Sequence, residues 1–219
     1  MANPITDSPE QALERQAARA REVDHRVKNT LQLISSIVLL QGRRTGDEGA
    51  RTALRAVQQR VAAVSVSHRH VGWVGDAEQV ELAALVREIV GDLAGSAGRE
   101  GVEIDLDLES VTIPGRQGAP MALLVSEAVG NALRHAYPED RTGRVRVALR
   151  RTEAGFELSV ADDGVGIPPG ARPSGFGLTV AQLMAQQLRG KLVTDVAQPG
   201  VRLSVVVPMD SDTVRAAPR

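Results

Sequence analysis

The 219-residue chain contains no cysteine. Disulfides and thiolate chemistry are excluded, and a zinc site would have to use histidine and carboxylates alone. Lysine is nearly missing as well: Lys28 and Lys191 are the only two, so almost all positive charge is arginine. Aromatic residues make up only 2%, which leaves the core to Leu, Val, Ile and Ala. No long hydrophobic run occurs. The longest, at residues 33–40, is broken by two serines, far short of the roughly 20 apolar residues of a membrane-spanning helix. The first residues, up to Pro9, are polar and lack the apolar stretch of a signal peptide. The expectation is a cytoplasmic protein with no membrane anchor of its own. A net charge of -1 offers no concentrated basic surface for nucleic acid. What is present, 42% hydrophobic and 24% charged residues, is ordinary for a folded protein, and the length suits two modest domains or one large one.

Between Pro9 and Gly42 no glycine or proline interrupts the chain. Leu13, Ala17, Ala20, Val27, Leu31, Ile34 and Val38 fall at alternating 3-4 spacing, one seam along a long helix. Asp24 is the single interruption. Residues 42–49, with three glycines and mixed charge, read as a turn. Leu54, Val57, Val61, Val64, His68 and Val71 then repeat the spacing. His68 falls on this seam and reads as structural, while His70 lies nearby. The pattern predicts an αα-hairpin. One hairpin covers only part of its apolar stripe, which Leu33, Ile37 and Leu40 widen, so two hairpins are expected to pair into a four-helix bundle in a homodimer; the alternative is a monomer whose second domain covers the stripe. His25 stands one step past the seam, in Asp24-His25-Arg26-Val27-Lys28-Asn29, where its ring should point outward. Alone it reads first as an ordinary surface histidine among mixed charges.

From about residue 80 the period changes. Residues 82–93, 119–135 and 178–188 read as helices; 102–108, 145–149, 156–160, 192–196 and 203–207 read as strands, with VEIDLDL alternating strictly. The order lacks strict βαβ alternation and suggests an α/β sandwich, a largely antiparallel sheet covered by helices on one face. Three segments stand out. Glu127, Asn131 and His135 share one helical face; this is either a polar line facing a cleft, where an Asn oxygen could meet Mg²⁺, or a solvated stripe. Asp162-Asp163-Gly164-Val165-Gly166 follows a strand and allows backbone to approach a flat ligand, or is merely a turn. Gly175-Phe176-Gly177-Leu178 opens a helix whose free N–H groups suit phosphate, although such a tetrapeptide is common. Residues 168–174 between them have the composition of a mobile cover.

The order and spacing of these segments carry more than each alone. His25-Arg26-x-x-Asn29 resembles the phosphoacceptor helix of HisKA_2 and HWE sensor histidine kinases. Asn131, Asp162-x-Gly164-x-Gly166 and Gly175-x-Gly177-Leu178 resemble the N, G1 and G2 boxes of their ATP-binding domain. The stretches NTLQLISSIVLLQGRR and SEAVGNALRHAYP lie closer to HisKA_2, since the HWE branch carries a His-x-Glu before its N box and a later Trp-x-Glu, whereas here the N box reads Val125-Ser126-Glu127 and Trp73 is the only tryptophan. The resemblance implies an α+β chain: a helical hairpin for dimerisation and phosphotransfer over residues 1–74, then an α/β-sandwich Bergerat (GHKL) ATP-binding domain over 75–210, and a disordered tail over 211–219.

It also implies roles. His25, with Asn29 and Glu127, would be catalytic, His25 as the nucleophile toward ATP. Asn131 would hold Mg²⁺. Arg134 and His135 would contact phosphate, Asp162 would select adenine, and Gly164, Gly166, Gly175, Gly177 and Leu178 would shape the pocket and its lid. The partner would be the receiver domain of a response regulator. The stretch ahead of His25 is too short for a sensor domain, so input is expected from another protein, from that short extension or from a ligand.

Two departures matter. Many relatives place an acid after the phosphoacceptor histidine, where Arg26 stands here, so Glu127 or Asp24 would be the base. Gly-Thr usually precedes the last strand, and Gly200-Val201 lacks that hydroxyl, which predicts weaker ATP binding. Three competing readings are a histidine phosphotransferase with a non-catalytic GHKL-like domain, a GHKL serine kinase of an anti-sigma system, and a dimeric scaffold that merely holds nucleotide. Intact N and G1 boxes argue against the first, and the histidine-bearing hairpin against the second.

Overall fold

Helix α1 runs unbroken over Pro9–Arg44, about 54 Å at 1.5 Å per residue, as the absence of internal helix breakers dictates. Arg43 and Arg44 in its last turn suit the negative end of the helix dipole. The turn is tighter than its glycines suggest: only residues 45–47 leave the helix, not 42–49. Asp47 restarts it, since its Oδ1 accepts the Ala50 amide at 2.6 Å, a carboxylate cap on α2 (Glu48–Arg69). Leu33, Ile34, Ile37 and Leu40 on α1 and Val57 on α2 stay exposed, while Ala63, Val66 and Ser67 are buried. The computed structural model describes residues 9–75, 77–138, 141–168, 175–196 and 199–209. It divides into two compact units, Met1–His68 and Arg69–Arg219. The tail expected at 211–219 lies outside the described residues.

The second unit opens with a small sheet absent from the sequence expectation. Strands β1 (Val71–Val74) and β2 (Ala77–Glu81) pair antiparallel; Val71 thus belongs to a strand and not to the preceding helical period. Helix α3 (Leu82–Ala97) follows directly, capped by Glu81, whose carboxylate accepts the amides of Ala83 and Ala84 at 3.3 and 2.6 Å. On α3, Glu88 takes an ion pair from Arg69 and a 2.6 Å contact from His70 Nε2. Those hydrogen bonds hold its carboxyl below the usual value.

Strand β3 (Val102–Leu108) and β4 (Thr112–Pro114) come next, β4 completing the small sheet in the order β1-β2-β4. Helix α4 (Gly118–His135) then crosses back to β5 (Gly143–Thr152), so β3 and β5 run parallel. Strand β6 (Gly155–Asp162), helix α5 (Phe176–Gln187), β7 (Lys191–Val196) and β8 (Val201–Pro208) finish a five-stranded sheet ordered β3-β5-β6-β8-β7. Its other three pairings are antiparallel, as expected.

Val145, Val147 and Leu149 are fully buried and alternate with outward Arg144 and Arg146, the period of a sheet with one covered face. The helices supply the cover: Leu82, Leu85, Val86, Met121, Leu124, Val125 and Val129 are fully buried. Each such side chain contributes about 1.5–3 kcal/mol. With its inner face in this core, α4 is free to turn its polar line, Glu127 to His135, elsewhere.

Candidate functional site

The polar line on α4 grades from inside to outside. Glu127 is buried, Asn131 half-buried, and Arg134 and His135 exposed. Gly177, in the first turn of α5, lies over the inner half. A Cβ built there would stand 2.5 Å from Glu127 Oε2 and 3.2 Å from Asn131 Oδ1. The N box and the G2 box are therefore one place in space. Arg134 Nη2 donates to Asn131 Oδ1 at 3.0 Å, which puts a cation beside the amide. His135 is held below its ordinary 6.5, first by desolvation and then by the Arg134 charge. The shift favours its neutral form.

The second wall forms at the end of β6. Asp162 is half-buried, and its Oδ1 accepts the Gly164 amide at 3.0 Å and the Val201 amide at 3.2 Å. Desolvation lifts its carboxyl above the usual 3.8 despite these two donors. Among the described residues, no side-chain or backbone donor reaches its Oδ2, so one oxygen is fixed and the other can accept from a ligand. The position that lacks the expected hydroxyl still contributes, because Val201 frames Asp162 through its backbone.

The two walls meet at the end of α4. Val165 N donates to Ala136 O at 2.9 Å, and a Cβ on Gly164 would stand 2.3 Å from that same oxygen. Only glycine allows the loop to press so closely on the helix terminus. Gly166 faces Gly200, and Leu178 follows Gly177 on α5, half-buried. The cover expected at 168–174 lies, beyond Pro168, outside the described residues. His25 and Asn29 stand on α1 in the other unit. Asn29 is exposed, and the side chain of His25 lies outside the described residues.

The donor set suits a magnesium ion. Asn131 Oδ1 is a hard oxygen at the cleft, with the Glu127 carboxylate beside the same glycine. Magnesium takes few protein ligands and completes its shell with phosphate and water. Among the described residues there is no cluster of three or more His, Asp or Glu that would favour a caged metal instead.

Sequence reasoning missed Asp163, Tyr137, Arg144 and Gly143. Tyr137 OH donates to Asp163 Oδ1 at 3.0 Å, and Arg144 N donates to the same oxygen at 2.7 Å. The available signals were the doubled aspartate at 162–163 and the presence of a single tyrosine in the chain.

Residues 22–97 match the HisKA_2 histidine kinase family, and residues 76–195 match the histidine kinase-like ATPase domain family, HATPase_c_2. The chain belongs to the histidine kinases of the HisKA_2 type, with an ATPase domain of GHKL fold. It is 28% identical over 207 residues to the sensor histidine kinase PdtaS of Mycobacterium tuberculosis, covering 91% of this chain and 41% of that protein. It is 28% identical over 216 residues to blue-light-activated histidine kinase 2 of Erythrobacter litoralis, covering 93% and 60%. The chain thus spans roughly half the length of these relatives. A solved histidine kinase domain from the Erythrobacter litoralis EL346 blue-light activated kinase superposes with a TM-score of 0.67 at 19% identity, over 85% of this chain and all of that one. Among the described residues, no helix is long and apolar enough to cross a membrane.

Proposed function

We propose that the chain transfers the γ-phosphoryl group of ATP to its own His25 and then to an aspartate on the receiver domain of a response regulator. The observation that carries this reading is the joining of the Asp162 wall to the Glu127–Asn131 face at Gly164 and Ala136. One helix end thereby spaces an adenine-selecting carboxylate from a phosphate-facing polar line. The family match over the hairpin supports the acceptor role of His25.

Asp162 Oδ2 accepts from the adenine amino group while Oδ1 stays on the Gly164 and Val201 amides. Arg134 and His135 bind phosphate oxygens. Gly164, Gly166, Gly175, Gly177 and Leu178 shape the pocket, and the amides at the start of α5 face the phosphates. Asn131 would hold Mg²⁺, which would supply neutralisation of phosphate charge when bound. A ring nitrogen of His25 attacks the γ-phosphorus, the β–γ bridging P–O bond breaks, and its electron pair leaves with ADP. The ring proton passes to a carboxylate, with Glu127 the first candidate and Asp24 the second. Asn29, one turn further along α1, completes the acceptor face. The exposed Leu33, Ile34, Ile37 and Leu40 support pairing of two hairpins in a homodimer. Residues 1–74 then act as the dimerisation and phosphotransfer domain and 75–210 as the catalytic domain, in the cytoplasm.

The test is incubation with γ-labelled ATP and Mg²⁺, beside a His25→Ala variant. Acid-labile label on the wild type alone supports the reading. Acid-stable label on both moves the activity to a serine kinase, and no label with no ATP binding moves it to a phosphotransferase.

A further inference from the structure

The adenine wall rests on a second carboxylate. We propose that Asp163, held by Tyr137, is a positioning residue that sets the Asp162 carboxylate for adenine and so governs base selectivity; this rests on the reading of Asp162 given above.

Asp162 is the last residue of β6 paired to β5, opposite Val145. The next step of the ladder is irregular. Asp163 N donates to Arg144 O at 3.3 Å, while the Arg144 amide turns to the Asp163 carboxylate at 2.7 Å. The same Oδ1 takes the Tyr137 hydroxyl at 3.0 Å. Tyr137 is fully buried just beyond the end of α4, and Arg99 donates to its carbonyl oxygen. Asp163 is thus pinned to β5 and to the α4 terminus together, although its own side chain is otherwise exposed. Asp162 sits between this pin and the Val201 amide on β8. Neither neighbour can shift without moving it.

Gly143 shows that the contact is built into the strand. A Cβ there would lie 2.2 Å from Tyr137 Cε1 and 2.5 Å from Asp163 Oδ1, so a side chain at the start of β5 would push the pair apart. The charges agree with the geometry. The Arg144 amide, the Tyr137 hydroxyl and the Arg141 charge hold the Asp163 carboxyl below its usual value, whereas burial and the Asp163 charge lift Asp162 above it. Adjacent carboxylates therefore divide the work: one stays ionised as an anchor, the other faces the pocket.

The experiment measures ADP and GDP dissociation constants on the full chain for Tyr137→Phe, Asp163→Ala and Asp163→Asn. Tyr137→Phe keeps the ring and loses one donor to a charged acceptor. It and Asp163→Ala are expected to weaken ADP about tenfold and leave GDP nearly unchanged. Asp163→Asn keeps an oxygen acceptor at Oδ1 and is expected to restore wild-type selectivity. A purely structural role would weaken both nucleotides alike, and that outcome overturns the proposal, as does wild-type selectivity in a folded Tyr137→Phe. Asp162→Asn separates the two claims. If it leaves the ADP preference intact, the adenine reading itself fails; if it abolishes the preference while Tyr137→Phe does not, only the positioning role fails.

Discussion

Arg134 Nη2 donates to Asn131 Oδ1 across 3.0 Å, so the amide oxygen suited to a divalent cation already faces a guanidinium. On the proposed roles, binding of nucleotide and metal would require Arg134 to leave Asn131 and turn to phosphate. Arg134→Ala should weaken ATP about tenfold through loss of a charge-assisted bond and leave adenosine affinity unchanged. Competition titrations with the two ligands check this, and equal weakening of both would remove Arg134 from the phosphate site.

Gly177→Ala should cut autophosphorylation at least about tenfold, because a methyl group there displaces Glu127 and Asn131 from productive positions. Initial rates with labelled ATP measure the effect. Glu127→Gln is the companion: a normal rate with unchanged ATP affinity rules Glu127 out as the base.

The two aspartates predict opposite pH signs. Asp162 has a raised pKa, so its contribution to stability is present below 3.8 and is lost as pH rises through its folded value. Asp163 has a lowered pKa; its contribution is present above 3.8 and is lost as pH falls through its folded value. If Asp162 accepts from adenine as proposed, ADP binding should weaken on acidification before an ordinary aspartate would titrate. Asp163→Asn removes the neighbouring charge and should move that acid limb to lower pH. Titrations between about pH 4 and 7 test both statements; an unmoved limb contradicts the second.

Two glycines predict changes of opposite sign. Gly200 has φ 94° and a Cβ there would lie 1.8 Å from Asp162 O; Gly200→Ala should cost about 2–3 kcal/mol. Gly91 on α3 has open space around it, and Gly91→Ala should stabilise by about 0.5–1 kcal/mol. Urea unfolding of both variants measures the difference.

Leu33→Ser with Ile37→Ser should convert a dimer to a monomer, since both side chains are exposed on α1. Light scattering at micromolar concentration reads the mass directly. A wild type of single-chain mass removes the dimer altogether.

The long elements were legible because they repeat. Seven apolar positions define the seam of α1, and VEIDLDL alternates over the stretch that forms β3, although the burial there does not follow it: Leu106 is exposed and Asp105 half-buried. The small sheet was not legible: β1, β2 and β4 have four, five and three residues, too few to show a period, and they exist by pairing with one another. The same limit applies at the site. Glu127 and Asn131 are one helical turn apart, so their shared face follows from local geometry. Tyr137 and Asp163 are separated by 26 residues, and only the fold brings them together. The turn at 45–47 closed more tightly than its glycines implied because Asp47 caps α2.

The exposed strand β1 also provides an optical handle. Trp73 is the only tryptophan in the chain and is 59% exposed, whereas the single tyrosine is buried beneath Asp163. Emission excited at the red edge of indole absorption therefore comes from one known surface position, five residues past the boundary between the two units at His68. Changes in its colour or quenching report events at that strand without any added label, while Tyr137, silent at that wavelength, stays out of the signal.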